Sequence, residues 1–242
     1  MNHHATVAAI ATVTYQRDQV IKLAPGIPFF LGETNSLAGG GQAGLSDVYG
    51  ATLWSLDYGL YSASQGMGRI HFHQSGAAPY ASWNPEGAME TRSTYYGNLA
   101  TAMMIGDKPK TQILSFQMED PYVAVYGAYV DGVLSRMAVI NLHHYWAGSS
   151  TPRPHEDFTI QLPKGTGSAT AAWLTAGGAQ VKTGTSFNGW VYEPATMGKQ
   201  AKSTATGTVT DQKLALSSDG ALRISIPDLR AVILRFEGAK FR

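Results

Sequence analysis

The chain has 242 residues, of which 44% are apolar and 10% aromatic, so it can form one sizeable hydrophobic core or two modules. Only 14% of the residues are charged, and 18 basic residues nearly balance 17 acidic ones. Because the net charge is close to zero, no strong field would attract a nucleic acid or a membrane surface, and neither is expected as a partner. The chain contains no cysteine, which excludes disulfide bonds and thiolate chemistry.

The sequence carries no recognisable targeting segment. Its first residues have neither the basic region nor the continuous hydrophobic region of a secretory signal peptide. No stretch reaches the roughly 18 consecutive apolar residues of a membrane-spanning helix. The sequence as given therefore leaves the cellular compartment open.

The first part of the chain has the pattern of alternating helices and strands. Apolar spacing predicts helices over 5–23, 46–66 and 95–105 and strands over 27–31 and 69–73. We expect the first strand to be buried on both faces, because it is uniformly apolar and bounded by turn residues. Ser46 is a favourable residue for capping the second helix. The order strand, helix, strand, helix indicates a parallel α/β arrangement.

Beyond residue 110 the predicted elements are strands. They are predicted over 122–126, 136–142, 158–162, 171–174, 222–226 and 231–236. Turn pairs such as Asp131-Gly132 and Asn188-Gly189 separate the runs, which is typical of antiparallel sheets. The sequence therefore predicts a β/α domain over 1–110 and an antiparallel β-sandwich domain over 111–242.

Glu33 is the first candidate for chemistry, because it follows an apolar strand and precedes three consecutive glycines, Gly39 to Gly41. Sugar-cleaving barrels hold their catalytic carboxylates at strand ends of this kind. A glutamate in this position is nevertheless more often a solvated loop residue, and a glycine triplet is often a flexible turn. The local pattern alone leaves both interpretations open.

His71 and His73 lie two residues apart, so a strand would place both on one face, at a spacing that metal sites use. No third ligand of a fitting type lies nearby in the sequence, and histidines of this kind are more often structural. The glycine triplet has neither the spacing nor the lysine of a phosphate-binding loop. We therefore expect neither a metal nor a cofactor.

Two sets of segments carry a family resemblance. In the first part they are Gly32-Glu33-Thr34-Asn35-Ser36, Gly39-Gly40-Gly41, Leu45-Ser46-Asp47, Leu53-Trp54-Ser55-Leu56-Asp57-Tyr58, Ile70-His71-Phe72-His73-Gln74 and Tyr95-Tyr96-Gly97. In the second part they are Val139-Ile140-Asn141-Leu142, Ala172-Trp173-Leu174 and Ala231-Val232-Ile233-Leu234. Together they resemble glycoside hydrolase family 79, which includes β-glucuronidases and heparanases, over essentially the whole chain. The resemblance implies a mixed fold: the last two or so β/α units of a (β/α)₈ TIM barrel, followed by the family's C-terminal β-sandwich.

By this resemblance the chain is the C-terminal section of a retaining glycosidase with Glu33 as nucleophile. A retaining enzyme needs a second carboxyl group, about 5 to 5.5 Å away, to protonate the leaving oxygen. In the family this acid/base follows an asparagine, whereas none of the seven glutamates of this chain does. We therefore expect the acid/base to lie upstream, and the chain alone to be inactive.

The resemblance implies a substrate with terminal β-glucuronic acid, in a glycan or a glycoside. Backbone N–H groups in a glycine loop can form an anion-binding concavity. The resemblance assigns the uronate carboxylate to the main chain around Gly39 and Gly40 and to the hydroxyl of Tyr80. His73 or Gln74, at the end of the second strand, is expected to bind a sugar hydroxyl. Galacturonate or an altered pocket stays open, because Ala38 stands where family members often have a tyrosine.

Two alternatives remain at this stage. The sandwich can be a non-catalytic carbohydrate-binding or scaffolding module with a remnant of the barrel, or a separate upstream barrel half can be a partner that completes the enzyme. Two isolated barrel strands would expose unpaired edges, so we also expect low solubility. For a full-length parent, an extracellular location is expected.

Overall fold

The computed structural model describes residues 1–86, 89–162, 166–196, 198–205 and 208–238. Its helices are α1 (His3–Leu23), α2 (Tyr49–Ser64) and α3 (Ser93–Ile105), with a short 3₁₀ turn at Pro194–Thr196. Four strands lie between α1 and α3: β1 (Phe30–Thr34), β2 (Arg69–Phe72), β3 (Trp83–Asn84) and β4 (Glu90–Thr91). The strands after α3 are β5 (Gln112–Phe116), β6 (Val123–Val130), β7 (Val133–Asn141), β8 (His155–Gln161), β9 (Ser168–Thr175), β10 (Ser186–Phe187), β11 (Trp190–Val191), β12 (Ala201–Lys202), β13 (Gln212–Leu214), β14 (Ala221–Pro227) and β15 (Arg230–Glu237). The protein is thus β-rich with few helices.

The first part of the chain contains a two-stranded parallel sheet, in which β1 pairs with β2 and α2 connects them. The strand begins at Phe30, three residues later than predicted at position 27, and includes Glu33. Burial on both faces was a wrong expectation, because Ile27 and Phe30 are exposed. The physical reason is that one face packs against α1 and α2 around Ile10 and Tyr58, while no described element covers the other face.

Helix α2 begins at Tyr49, and Val48 occupies its N-cap position. The expectation that Ser46 caps this helix was therefore wrong. Its hydroxyl instead accepts a hydrogen bond from the backbone N–H of Gln42 at 3.1 Å. This competing local bond holds the loop before the helix, as serine side chains often do.

The second part consists of two antiparallel sheets. The larger one has the strand order β12-β11-β10-β9-β15-β7-β6-β5, with β13 also paired to β9, and the smaller one pairs β8 with β14. The two sheets pack face to face through apolar side chains such as Val125 and Val232 of the larger sheet and Leu222 and Ile226 of the smaller one. This arrangement agrees with the predicted antiparallel sandwich.

Helices α2 and α3 cover the opposite face of the larger sheet. Leu56 of α2 and Met104 of α3 belong to the same core as Tyr126, Ile140 and Ile233 of the sheet. The elements on the two sides of residue 110 therefore share a hydrophobic core. The predicted domain boundary near that residue stays a prediction.

A buried polar cluster fixes the start of α1. The Asp57 carboxylate, on α2, lies 2.9 Å from His3 Nδ1 and accepts a hydrogen bond of 2.5 Å from the Tyr126 hydroxyl on β6. Burial, and next the negative charge of Asp57, raise the pKa of Tyr126 well above its ordinary value. Farther along α1 the side chains of Tyr15 and Leu23 are exposed. In the described part of the chain, no helix is long and apolar enough to cross a lipid bilayer.

Candidate active site

Glu33 lies near the carboxyl end of β1, at an irregularity in strand pairing. Leu31 pairs with Ile70 and Thr34 with Phe72, so β1 contains one residue more than β2 between these two pairs. Such β-bulges bend the strand and re-aim side chains, and they are frequent beside active sites. Here the side chain of Glu33 is 73% exposed and points away from the packed face.

His73 is the nearest ionisable partner of Glu33 that the structure shows. Its Nδ1 lies 3.4 Å from Glu33 Oε1, and its backbone N–H donates to the carbonyl of Thr34 at 3.0 Å. The contact follows from parallel pairing, because the carboxyl ends of two neighbouring parallel strands lie at the same edge of their sheet. The histidine can orient the carboxylate and donate a hydrogen bond to it when Nδ1 carries a proton.

Tyr80 connects this pair to the glycine loop. Its ring packs edge-on against the ring of His73, with centroids 5.8 Å apart. Its backbone N–H donates to the carbonyl of Gly40 at 3.3 Å, and its side chain is buried. The structure therefore brings the predicted residues Glu33, His73, Tyr80 and Gly40 into one contiguous region.

The loop of Gly39, Gly40 and Gly41 has positive φ angles of 73°, 97° and 84°. The backbone N–H groups of Gly39 and Gly40 make no hydrogen bond to any described residue. At Gly41 a Cβ atom would lie 2.8 Å from Ser46 Oγ and 3.0 Å from Tyr80 Cβ, so no larger residue fits without displacement. At Gly41 both the backbone conformation and the close packing therefore require glycine.

Gln74 has a different surrounding from the one expected of a sugar-binding residue. Its Oε1 accepts hydrogen bonds from the backbone N–H groups of Ser82, at 2.8 Å, and Trp83, at 3.4 Å. Its Nε2 donates to the carbonyl of His73 at 3.2 Å. Gln74 therefore holds the loop that carries Tyr80, and its role in binding a sugar stays a prediction.

Sequence reasoning missed three residues that shape this region. Asn35 Nδ2 donates to the carbonyl of His73 at 2.9 Å and so ties the end of β1 to the end of β2. Ser46 accepts from the hydroxyl of Ser36 at 3.0 Å, and Arg92 donates to the carbonyls of Ala77 and Ala78. Asn35 belongs to the motif after the strand, which was a usable signal, but nothing local indicates the partners of Ser46 and Arg92.

The structure gives no support to a metal centre in this region. Among the residues it describes, no three histidine, aspartate or glutamate side chains converge as metal ligands would. Glu90, which follows the loop of Tyr80, lies 3.7 Å from Arg92 as an ion pair. The chemistry this arrangement offers is that of one exposed carboxylate beside a histidine and a glycine loop.

Comparison with known proteins identifies the relatives of this chain. The family model described as "Glycosyl hydrolase family 79 C-terminal beta domain" matches residues 125–233. A curated β-glucuronidase of Aspergillus niger is 36% identical over 252 aligned positions, which cover 97% of this chain and 46% of that protein. A curated β-glucuronidase of Neurospora crassa is 32% identical and covers 79% of this chain and 41% of that protein.

A solved structure has the same fold. It is the 4-O-α-L-rhamnosyl-β-D-glucuronidase of Fusarium oxysporum 12S, with a TM-score of 0.78 and 24% identity over 97% of this chain and 49% of that one. The fold of this chain is therefore the one found in about half of that solved chain. More narrowly, the family model and the two curated relatives support assignment of the chain to the C-terminal portion of glycoside hydrolase family 79, including the C-terminal β-domain. It spans less than half the length of the curated relatives that it matches.

Proposed function

We propose that this chain is the C-terminal section of a retaining glycoside hydrolase that removes terminal β-glucuronic acid from glycans or glycosides. The observation that carries the proposal is the position of Glu33, at a β-bulge near a strand end and 3.4 Å from His73 Nδ1. The names of the two curated relatives, both β-glucuronidases, support the reaction class and the sugar.

In this proposal Glu33 attacks the anomeric carbon while an acid protonates the departing oxygen, which gives a glycosyl ester and a free alcohol. Water then hydrolyses the ester, with the same acid/base group removing its proton, so that the anomeric configuration is retained. His73 holds the attacking carboxylate in place. The acid/base comes from the part of the enzyme that this chain does not match, since the chain covers less than half of its relatives.

The proposal extends to the architecture. Strands β1 and β2, with α1 to α3, are the last units of a (β/α)₈ barrel over 1–110, and the sandwich occupies 111–242. The open face of β1, which exposes Phe30, supports this idea because further strands and their side chains would cover it. The missing half is either part of a longer chain or a partner polypeptide, and the full-length parent is extracellular.

The glycine loop is proposed to bind the uronate carboxylate. The N–H groups of Gly39 and Gly40, which have no acceptor among the described residues and lie at positive φ angles, are the kind of main-chain donors that bind anions. Tyr80 lies against this loop through the bond of its backbone N–H to the Gly40 carbonyl, and its hydroxyl is proposed as a further donor to the carboxylate. His73 remains the candidate for a sugar hydroxyl.

The proposal is tested in a chimera that joins this chain to the remaining part of the Aspergillus niger relative, assayed on 4-nitrophenyl β-D-glucuronide. Glu33→Gln is expected to lower kcat by about 10³-fold or more, because the attacking carboxylate is lost. Glu90→Gln is the matched control and should retain activity within a few-fold. For Glu33→Gly, added azide should restore turnover and give the α-glucuronyl azide. A Glu33→Gln variant as active as the parent chimera would overturn the assignment.

A further inference from the structure

A cavity lies in the sandwich, apart from the residues around Glu33. Its volume is about 440 Å³, within the range of small-molecule sites. It is lined by Trp173 and Thr175 of β9, Ser186 of β10, Gln212 of β13 and Arg230 of β15. None of these residues takes part in the candidate active site.

Arg230 is a cation without a counterion in this cavity. Among the described residues its guanidinium makes neither a hydrogen bond nor an ion pair, and its Nε atom is buried without an acceptor. Burial, and next the positive charge of Arg153, lower the pKa of Arg230. Arg230 is only partly buried, but a guanidinium nitrogen that is buried without an acceptor carries a desolvation cost, which a bound hydrogen-bond acceptor or anion would offset.

Arg153 adds a second positive charge at the same wall. Its Nη2 donates to the carbonyls of Ala176, at 3.1 Å, and Gly177, at 2.5 Å, both of which line the cavity. The guanidinium lies 4.2 Å above the ring centre of Tyr145, and its Nη1 atom is buried without an acceptor among the described residues. Among the described residues, Arg153 is thus held by backbone carbonyls and an aromatic ring but has no carboxylate partner, and its positive charge adds to that of Arg230.

Two other arginines of the sandwich are paired with carboxylates, whereas Arg136 donates to the backbone carbonyls of Met104 and Ile105. Arg223 lies 3.0 Å from Asp219, and Arg235 pairs with Asp211. The contrast shows that the chain supplies carboxylates to arginines elsewhere in the sandwich but not to Arg230. The positive potential at the cavity wall favours an anionic ligand.

The rest of the lining is suited to a sugar rather than to a bare ion. The indole of Trp173 is half-buried and is fixed by a 2.6 Å hydrogen bond from its Nε1 to Gln212 Oε1. The hydroxyls of Thr175 and Ser186 lie 3.1 Å apart and each retains capacity for a further bond. An aromatic face, hydroxyls and an amide beside a guanidinium match the apolar ring face, the hydroxyls and the carboxylate of a uronic acid.

We propose that this cavity binds a hexuronic acid residue of an acidic glycan, with the sugar ring against Trp173 and the carboxylate on Arg230. The occupant is neither the substrate residue that is cleaved nor a structural ion. Such a site would hold a second part of an acidic glycan on the sandwich. It shares no residue with the candidate active site, so its failure would leave the role of Glu33 untouched.

The test titrates the full chain with methyl β-D-glucuronide and, in parallel, with methyl β-D-glucoside, which differs only in lacking the carboxylate. The indole N–H signal of Trp173 in ¹H–¹⁵N spectra, assigned with Trp173→Phe, reports on this cavity alone. We expect saturable shifts with the glucuronide and binding about tenfold weaker or worse with the glucoside. Sodium sulfate and sodium acetate serve as bare anions and should not reproduce the glucuronide affinity.

Three variants complete the test. Arg230→Gln should weaken glucuronide binding about tenfold or more, whereas Arg230→Lys, which keeps the charge, should bind within a few-fold of the parent chain. Arg223→Gln removes the same charge outside the cavity and should change nothing. Equal binding of glucoside and glucuronide, equal binding of a bare anion, an equal effect of Arg223→Gln, or no response of Trp173 would each overturn the proposal. If Arg230→Gln does not fold, the two methyl glycosides and Arg230→Lys still decide it.

Discussion

At the scale of single residues, the candidate site depends on how Gly41 allows the loop to approach Tyr80. The residue has a φ of 84°, and its α-carbon leaves no space for a side chain beside Ser46. Both effects favour glycine, one through backbone strain and the other through packing. The loop and the ring of Tyr80 are thereby held together, and the ring in turn packs on His73.

Gly41→Ala should therefore destabilise the chain by about 2 to 3 kcal/mol, since strain and a steric clash add. Gly44→Ala is the matched control: Gly44 has a similar φ of 80°, but a Cβ there would meet no atom within 4 Å. The control should cost only about 1 kcal/mol, from strain alone. Urea denaturation of the two variants measures the difference, and equal losses would show that the packing of Gly41 does not matter.

Residues that carry a recognisable motif were predictable at this scale, and their neighbours were not. Glu33 and the glycine triplet lie close together in the sequence, so a local pattern marks them as candidates. The partners of Ser46 and Gln74 come from other segments, which only folding brings near. The sequence predicted the wrong role for Ser46 because a loop hydrogen bond competes with helix capping.

At the scale of elements, the start of α1 is held by one buried carboxylate. Asp57 is 1% exposed, and its Oδ1 contacts both His3 of α1 and Tyr126 of β6. Its other oxygen, Oδ2, is buried without a hydrogen-bond partner in the described part of the chain. Helices α1 and α2 and strand β6 thus meet at the Asp57 carboxylate, whose burial is stable only while His3 and Tyr126 bind it.

We expect Asp57→Ala to destabilise the chain by about 3 to 5 kcal/mol, because it removes the carboxylate partner of the buried His3 imidazole and leaves the buried Tyr126 hydroxyl only its longer contacts to the residue 57 carbonyl and to His3. Asp18→Ala is the control: Asp18 pairs with Arg17 on the exposed side of the same α1 helix and should cost less than about 1 kcal/mol. Amide hydrogen exchange should show the loss first in α1. Unchanged protection of α1 in Asp57→Ala would contradict the proposed role of the cluster.

The element order was largely predictable, whereas burial was not. The predicted helix over 95–105 corresponds to α3 (Ser93–Ile105), and the predicted strand over 69–73 to β2. These elements follow from apolar spacing and glycine punctuation, which are local. The exposed face of β1 was missed because burial depends on which elements cover a strand, and an apolar run does not specify them.

At the scale of the whole molecule, one large antiparallel sheet organises the protein. Its one face carries α2 and α3, and its other face carries the small sheet of β8 and β14. By contrast, the side of the molecule near β1 exposes Leu23 (87%), Ile27 (59%) and Phe30. Such a patch marks an interaction surface or a tendency to associate, and low solubility of the isolated chain stays a prediction.

Buried tyrosines give the whole molecule an alkaline limit of stability. Burial raises the pKa of Tyr96 to about 12, and it also raises the pKa values of Tyr49 and Tyr126. Between pH 10 and 12 these tyrosines lose their hydroxyl protons in the unfolded chain, because the ordinary tyrosine pKa is about 10. In the folded chain they keep those protons. The unfolded state is therefore favoured as pH rises in this window.

The free energy of unfolding should fall above pH 10 by about 1.4 kcal/mol per pH unit for each buried tyrosine. Tyr96→Phe should remove the contribution of one tyrosine to this slope. It should also lower the free energy of unfolding by about 1 kcal/mol at neutral pH, because the Tyr96 hydroxyl accepts a hydrogen bond from the Tyr192 N–H. Tyr15→Phe, at an exposed position, should leave the curve unchanged. Urea denaturation at several pH values measures the slopes, and a slope that Tyr96→Phe does not change would contradict the prediction.

By itself, the sequence determined the antiparallel strands after residue 110, the approximate positions of the helices and main strands, and the resemblance to glycoside hydrolase family 79. These follow from apolar periodicity, turn residues and contiguous motifs, all of which act over a few neighbouring positions. The tertiary structure decided which side chains meet. The contact of Glu33 with His73 and the buried Asp57 cluster both join distant segments, and such contacts arise only when sheets and helices pack in three dimensions.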